Sequence, residues 1–187
     1  MDAIKFLTAC KEAGVNFYTG VPDSQLKGLC DTLYDLFGVS GERHVVAANE
    51  GGAVGLAAGH YLATGKPALV YLQNSGLGNI VNPVCSLLND QVYAIPCLFV
   101  VGWRGEPGVH DEPQHVFQGQ VTVEQLELLG IKTFILDASV TEEQFRRMFE
   151  EARSLLYQNK CAAFVVRKGG LTTECKPEYV GAHSVTR

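Results

Sequence analysis

Short apolar runs alternate with stretches of helical period along most of this chain, and that alternation limits its fold more than any other feature. The runs Asn16–Thr19, His44–Ala48, Pro67–Gln73, Ile95–Val101, Thr133–Leu136 and Ala162–Val166 read as buried strands. Between and around them lie helical patterns at Asp2–Ala13, Ser24–Phe37, Glu50–Ala63, about Asn79 to Leu88, and Val123–Leu129. The clearest is Ser24–Phe37, where Leu26, Leu29, Cys30, Leu33, Leu36 and Phe37 recur at three- and four-residue steps. The last helix opens with a capping box, Thr141 with Gln144, and buries Phe145, Met148, Phe149, Ala152, Leu155 and Leu156. Six such strands separated mostly by helices predict an α/β chain: three layers, α/β/α, around a mainly parallel six-stranded sheet. One domain is expected over residues 1–170, with the aperiodic tail 171–187 as a linker.

Composition narrows the partners. With 47% apolar and 19% charged residues the chain is globular, and its net charge of −5 argues against nucleic acid or anionic membranes as bulk partners. The most apolar run, Ala94–Trp103, is broken by Pro96 and is half the ~20 residues of a membrane span. Met1–Lys5 leads into no apolar signal region, so a cytoplasmic protein is expected. Cys10, Cys30, Cys85, Cys97, Cys161 and Cys175 are widely spaced and read as buried, reduced thiols.

In parallel α/β sheets ligands sit at the carboxyl ends of strands. After the first strand comes Gly20-Val21-Pro22-Asp23-Ser24, where Asp23 or Ser24 can cap a helix and still face a ligand. After the second comes Asn49-Glu50-Gly51-Gly52. A Glu in a first helical turn is favoured by the helix dipole without any function. Gly51, Gly52 and Gly55, however, cost about 0.8–1 kcal/mol each relative to Ala, which points to close approach of a backbone or ligand. After the third comes Asn74-Ser75-Gly76-Leu77-Gly78-Asn79, read as a flexible loop able to bring amides against a flat ring. It is no dinucleotide fingerprint, because Val81 stands where the third glycine belongs. After the fourth comes the longest loop, Gly102–His115, with His110, His115, three acids and Arg104; paired acid–base work is expected there before a metal.

Three of these segments, Gly20–Ser24, Ala48–Pro83 and Gly102–His115, occur in the order and spacing of the pyrimidine-binding domain of thiamine-diphosphate-dependent 2-oxo acid decarboxylases, which the chain resembles over about Met1–Gly170. The resemblance implies the thiamine-diphosphate-binding fold of the pyrimidine type, with thiamine diphosphate and Mg2+ as cofactors. Glu50 then stands where the family's Glu meets the pyrimidine N1′ nitrogen. Asn74, Ser75, Gly76, Leu77, Gly78 and Gln114 match cofactor-facing positions. Asp23 and His115, with His110 as the other candidate, would move protons once carbon dioxide has left. Asp23, Ser24 and Arg104 would meet the substrate, with Arg104 on its anion.

The implied substrate is a small 2-oxo acid, 3-phosphonopyruvate, with the sulfonate analogue as the alternative. A non-catalytic assembly or ligand-binding domain of the same fold is the rival reading. No Gly-Asp-Gly motif occurs in the chain, so no metal ligand is assigned to it. The diphosphate-binding domain or a β subunit is expected as partner. The chain is then either a length of a longer protein ending in its linker, the preferred reading, or an α subunit, inactive by itself. A homo-oligomer is expected.

Overall fold

Each long strand divides its side chains between two cores, which is how a sheet covered on both faces must read. The computed structural model describes residues 1–177. In chain order it contains α1 (Ala3–Glu12), β1 (Tyr18–Gly20), α2 (Lys27–Phe37), β2 (His44–Val46), α3 (Glu50–Thr64), β3 (Ala68–Gln73), α4 (Leu77–Pro83), β4 (Cys97–Gly102), α5 (Pro113–Leu128), β5 (Lys132–Leu136), α6 (Glu142–Tyr157) and β6 (Ala162–Val166). The six strands pair only in parallel, in the order β2-β1-β3-β4-β6-β5.

Leu69 and Tyr71 of β3, Leu98 and Val100 of β4, and Phe164 of β6 face a core closed by α1, α2 and α6. There Phe6, Phe145, Phe149 and Phe164 form a ring cluster with centroids 5.3–6.2 Å apart. Such pairs add about 0.5–1.5 kcal/mol each beyond area burial. The alternate residues Val70, Leu72, Phe99, Val101 and Val165 face α3, α4 and Leu126 of α5. The expected capping box is formed at Thr141 and Gln144.

Four boundaries depart from the sequence reading, each for a physical reason. The second strand stops at Val46 and lies at the sheet edge, so Val45 and Val46 are half-buried rather than buried. The helix after β3 begins at Leu77, entered through a tight 3-10 turn at Asn74–Gly76, and Val84–Leu88 continues it in π geometry. The helix expected at Val123–Leu129 begins ten residues earlier, at Pro113, because its buried stripe is Gly119, Thr122 and Leu126, too small and polar to show an apolar period. The tail does not leave the domain at Leu171: Leu171 is buried and Thr172 exchanges backbone hydrogen bonds with Met1 (2.9 Å) and Ala3 (2.8 Å). Residues 178–187, the rest of the expected linker, lie outside the described residues. All six cysteines are free thiols; Cys85 is exposed and Cys175 half-exposed, against the expectation of burial. Among the described residues no helix is long and apolar enough to cross a membrane.

The edge strand is tied down by His44, which is fully buried. Its Nδ1 hydrogen bonds the Gly38 carbonyl and its Nε2 the Tyr71 hydroxyl (2.8 Å). Nδ1 must carry the proton to meet a carbonyl, so the neutral ring has both nitrogens in use. Burial pushes its pKa below the ordinary 6.5. The unfolded chain therefore binds this proton more readily, and stability falls as the pH drops below about 6.5. Thermal melts across about pH 5–7 should show that decline, and His44→Gln should flatten it; parallel profiles for the two proteins would remove His44 as its source.

Candidate functional site

The order of strands opens a crevice at one point. From β1 the chain runs outward to β2, and from β3 it runs the other way to β4. The helices that follow diverge likewise: α2 packs on one core and α4 on the opposite one. Such a switch point leaves space at the carboxyl ends of the two strands. Asp23, just beyond β1, sits there. It is 7% exposed and caps the Ser24–Leu26 turn through Gln25 N (3.0 Å). Its Oδ1 accepts from Gln73 Nε2 at 2.6 Å, and Gln73 Oε1 in turn accepts from Ser75 Oγ at 2.6 Å. Gly102, ending β4, makes room for this carboxylate; a Cβ there would lie 2.2 Å from Oδ2.

Glu50 is the first residue of α3, whose free amides are capped by Asn49 through Gly52 N (2.8 Å). The dipole at a helix N-terminus favours its charge. The Glu50 side chain lies across Gly76. A Cβ on Gly76 would stand 2.5 Å from both Cδ and Oε1, so the carboxylate takes the space a side chain would fill. Its Oε2 accepts from Asn79 Nδ2 at 2.7 Å. Gly51 allows a backbone approach, since a Cβ there would sit 2.9 Å from the Asn79 carbonyl. Gly52 and Gly55 meet no such neighbour; they form an exposed stripe with Leu56, Gly59 and Leu62.

The stretch after β3 is not the flexible loop the sequence suggested. Asn74 is fully buried, its Nδ2 donating to Arg104 O (2.7 Å) and Thr122 Oγ1 (2.9 Å) while its Oδ1 accepts from Arg104 N (3.2 Å). That leaves its side chain no donor for a ligand. Leu77 points into the core. Ser75 and Gly78 are exposed at the helix entry.

The long loop after β4 is shorter and stiffer than expected, ending at Pro113 rather than after His115. Asp111 clips it shut. Its Oδ2 accepts from Arg104 Nε (2.7 Å) and Gly105 N (2.8 Å), and its Oδ1 from Glu112 N (2.8 Å) and Arg104 Nη2. Gly105, at φ 65°, and Gly119 of α5 meet so closely that a Cβ on Gly119 would be 1.7 Å from the Gly105 carbonyl. Arg104, expected to face a substrate anion, thus has two donor positions committed to Asp111; its Nη1 is 3.5 Å from Ser24 Oγ.

Arg104, Asp111, His110, Ser24, Gln25 and Lys168 border a hollow of about 350 Å3, and Asp23 lines a neighbouring one with Ser24 and Lys27. Gln114 and His115 stand instead on the first turn of α5, outside its lining. The sequence reading missed Gln73, Asn79, Asp111 and Lys168. Gln73 ends β3, which the carboxyl-end rule flags; Asn79 and Lys168 are known only by neighbours distant in sequence, and Asp111 only once the loop closes on Arg104. Among the described residues no three His, Cys, Asp or Glu side chains are grouped to hold a metal ion.

Residues 4–128 match the family described as "Thiamine pyrophosphate enzyme, N-terminal TPP binding domain". The chain is 33% identical to phosphonopyruvate decarboxylase of Streptomyces viridochromogenes over 86% of its own length and 39% of that protein's. It is also 33% identical to the sulfopyruvate decarboxylase subunit alpha of Methanococcus maripaludis, over 79% of its length and 82% of the relative's. The crystal structure of benzoylformate decarboxylase from Polynucleobacter necessarius shares the fold, with a TM-score of 0.61 at 17% identity over 88% of this chain and 29% of that one. The chain thus spans about two fifths of the phosphonopyruvate decarboxylase it matches.

Arg104 holds the Asp111 carboxyl well below the usual carboxylate range. A depressed folded pKa contributes stability present above the unfolded value, near 3.9, and lost only as the pH falls through the folded one. The clip should therefore survive mild acid. Hydrogen exchange at the Gly105 and Glu112 amides should stay slow at about pH 4 and speed up on the order of tenfold in Asp111→Asn. Unchanged exchange in that variant would mean the loop is held by α5 alone.

Proposed function

The chain belongs to the thiamine pyrophosphate enzyme family through its N-terminal TPP-binding domain, and from that premise we propose that it supplies the pyrimidine-side half of a 2-oxo acid decarboxylase. The observation that carries this reading is Glu50. A carboxylate at a helix N-terminus, laid across the buried Gly76 and steadied by Asn79, stays half-exposed next to the open backbone at Gly78. That arrangement fits a flat heteroaromatic ring with a basic nitrogen.

When bound, thiamine diphosphate supplies an electron sink for the carbon that loses carbon dioxide. The protein's own groups do the rest. Glu50 holds a proton at the ring nitrogen N1′. Asp23, fixed by Gln73 and Gln25 at the carboxyl end of β1, returns a proton to the product carbon. The Asp111 clip and Asn74 keep the roof of the crevice in place.

A complete site needs a second domain to carry the diphosphate and its Mg2+, contributed by another segment or subunit. The exposed stripe Gly52, Gly55, Leu56, Gly59 and Leu62, on the helix that Glu50 begins, supports close packing against such a body. The substrate we assign is 3-phosphonopyruvate. Sulfopyruvate is the second reading, favoured by the equal identity to the sulfopyruvate decarboxylase subunit.

The test is carbon dioxide release from 3-phosphonopyruvate, sulfopyruvate and pyruvate, with the chain joined to its diphosphate-binding partner. Glu50→Gln should lower kcat by about 10²–10⁴-fold; full activity in that variant would sink the reading. Gly76→Ala should do comparable harm while leaving the thermal midpoint within a few degrees, since the Cβ displaces only the flexible end of Glu50. An active Gly76→Ala enzyme would show that Glu50 need not lie where it does.

A further inference from the structure

We propose that Lys168 selects the acidic substituent of the substrate, with His110 beside it and Arg104 acting only to position the loop; this rests on the half-site reading above. Arg104 and Lys168 are the two Lys or Arg side chains that border this hollow, and Arg167 stands next to Lys168 in the chain. Arg104 gives Nε and Nη2 to Asp111. Arg167 donates Nη1 to Asp137 (3.2 Å) and is ion-paired with Glu106 (Nε to Oε1 2.7 Å), and its guanidinium lies 5.6 Å from the Trp103 ring centroid. Each guanidinium is thus anchored to carboxylates of the protein. Lys168 borders the same hollow, and among the described residues no carboxylate is paired with its ammonium group.

Its placement is fixed by the sheet. β4 and β6 are neighbours with Gly102 opposite Val166, and Trp103 N donates to Val166 O (2.9 Å). Lys168 is therefore level with Arg104, each two residues past its strand. A turn closed by Gly170 N on Arg167 O (2.8 Å), with Gly169 at φ 76°, holds Lys168 at its corner. The carboxylates Glu106 and Asp111 that also border the hollow are each neutralised by an arginine, so they do not cancel the lysine.

The chemistry suits the assignment. A lysine ammonium is a compact charge with three donors on a flexible stem, matched to a tetrahedral phosphonate or sulfonate, whereas a planar fork already gripping a carboxylate is not. Ser24 borders both this hollow and the neighbouring one that Asp23 lines, so a substrate with its oxo-acid end near Ser24 would point its far substituent toward Lys168.

The experiment compares wild type, Lys168→Ala and Lys168→Arg in the enzyme completed by its diphosphate-binding partner. In Lys168→Ala the ratio of kcat/KM for 3-phosphonopyruvate over pyruvate should fall about 10–100-fold, chiefly through KM, and Lys168→Arg should recover most of it. Equal losses on both substrates, or none, overturn the proposal. A second arm measures binding of methylphosphonate by calorimetry to the same three proteins. Wild type should bind, Lys168→Ala should bind at least tenfold more weakly, and equal affinities would overturn the assignment. If the wild type turns over no 2-oxo acid, the decarboxylase reading falls and the methylphosphonate arm alone decides the role of Lys168.

Discussion

The carboxyl end of this sheet depends on the buried side chain of Asn74. Its amide joins the turn after β3 to the backbone after β4 and to Thr122 of α5, so three segments far apart in sequence share one hydrogen-bonding group. Leaving any of these partners unpaired in the interior would cost about 1–3 kcal/mol, which makes the arrangement close to all-or-none. Two consequences follow for the crevice. The turn that Asn74 begins carries Gly76 under Glu50, and the backbone it grips at Arg104 begins the loop clipped by Asp111. The acid on one wall and the loop on the other are thus set by the same amide.

That economy explains which features were legible in the sequence. The six strands and the helices Ala3–Glu12, Lys27–Phe37 and Glu142–Tyr157 are legible mainly through buried apolar side chains at a regular period, and Glu50–Thr64 through a stripe of small ones, Ala53, Val54, Ala57 and Ala58. The helix Pro113–Leu128 was half missed for the opposite reason. It meets the Gly105 turn through Gly119 and the Asn74 amide through Thr122, so close backbone contact and a polar bond take the place of apolar burial. Pro113 at its first position was the available signal. Glycines after a strand suggest flexibility from sequence, whereas Gly76 serves clearance: it leaves the volume that the Glu50 carboxylate fills.

The site divides in the same way. Asp23 and Glu50 could be picked out because strand ends and helix starts are where an α/β fold exposes polar groups, and both sit in such places. Their partners Gln73 and Asn79 could not, since neither pairing has a sequence signature; separations of 50 and 29 residues are bridged only by the fold. Arg104 was legible as a cation near a crevice but not as a cation already in use. An arginine and an aspartate seven residues apart in a loop give no sign of a two-pronged contact until the loop is closed.

A site at the edge of one domain faces a physical problem that these contacts address. On the proposed half-site reading, Glu50 and Asp23 must be held in place against water that would solvate and disperse them until a second body covers the crevice. Asp23 is held by burial and two donors, at the cost of facing little solvent. Glu50 is held more lightly, by one donor and by the shape of Gly76, and remains half-exposed at the start of a helix whose outer stripe is glycine and leucine. The two acids are thus prepared to different degrees: the buried one is already fixed, and the half-exposed one is aimed but left open on the side where a partner domain would lie. Covering that stripe would remove apolar surface from water and dry Glu50 in the same step. On this reading, assembly and activation of the acid are a single event rather than two.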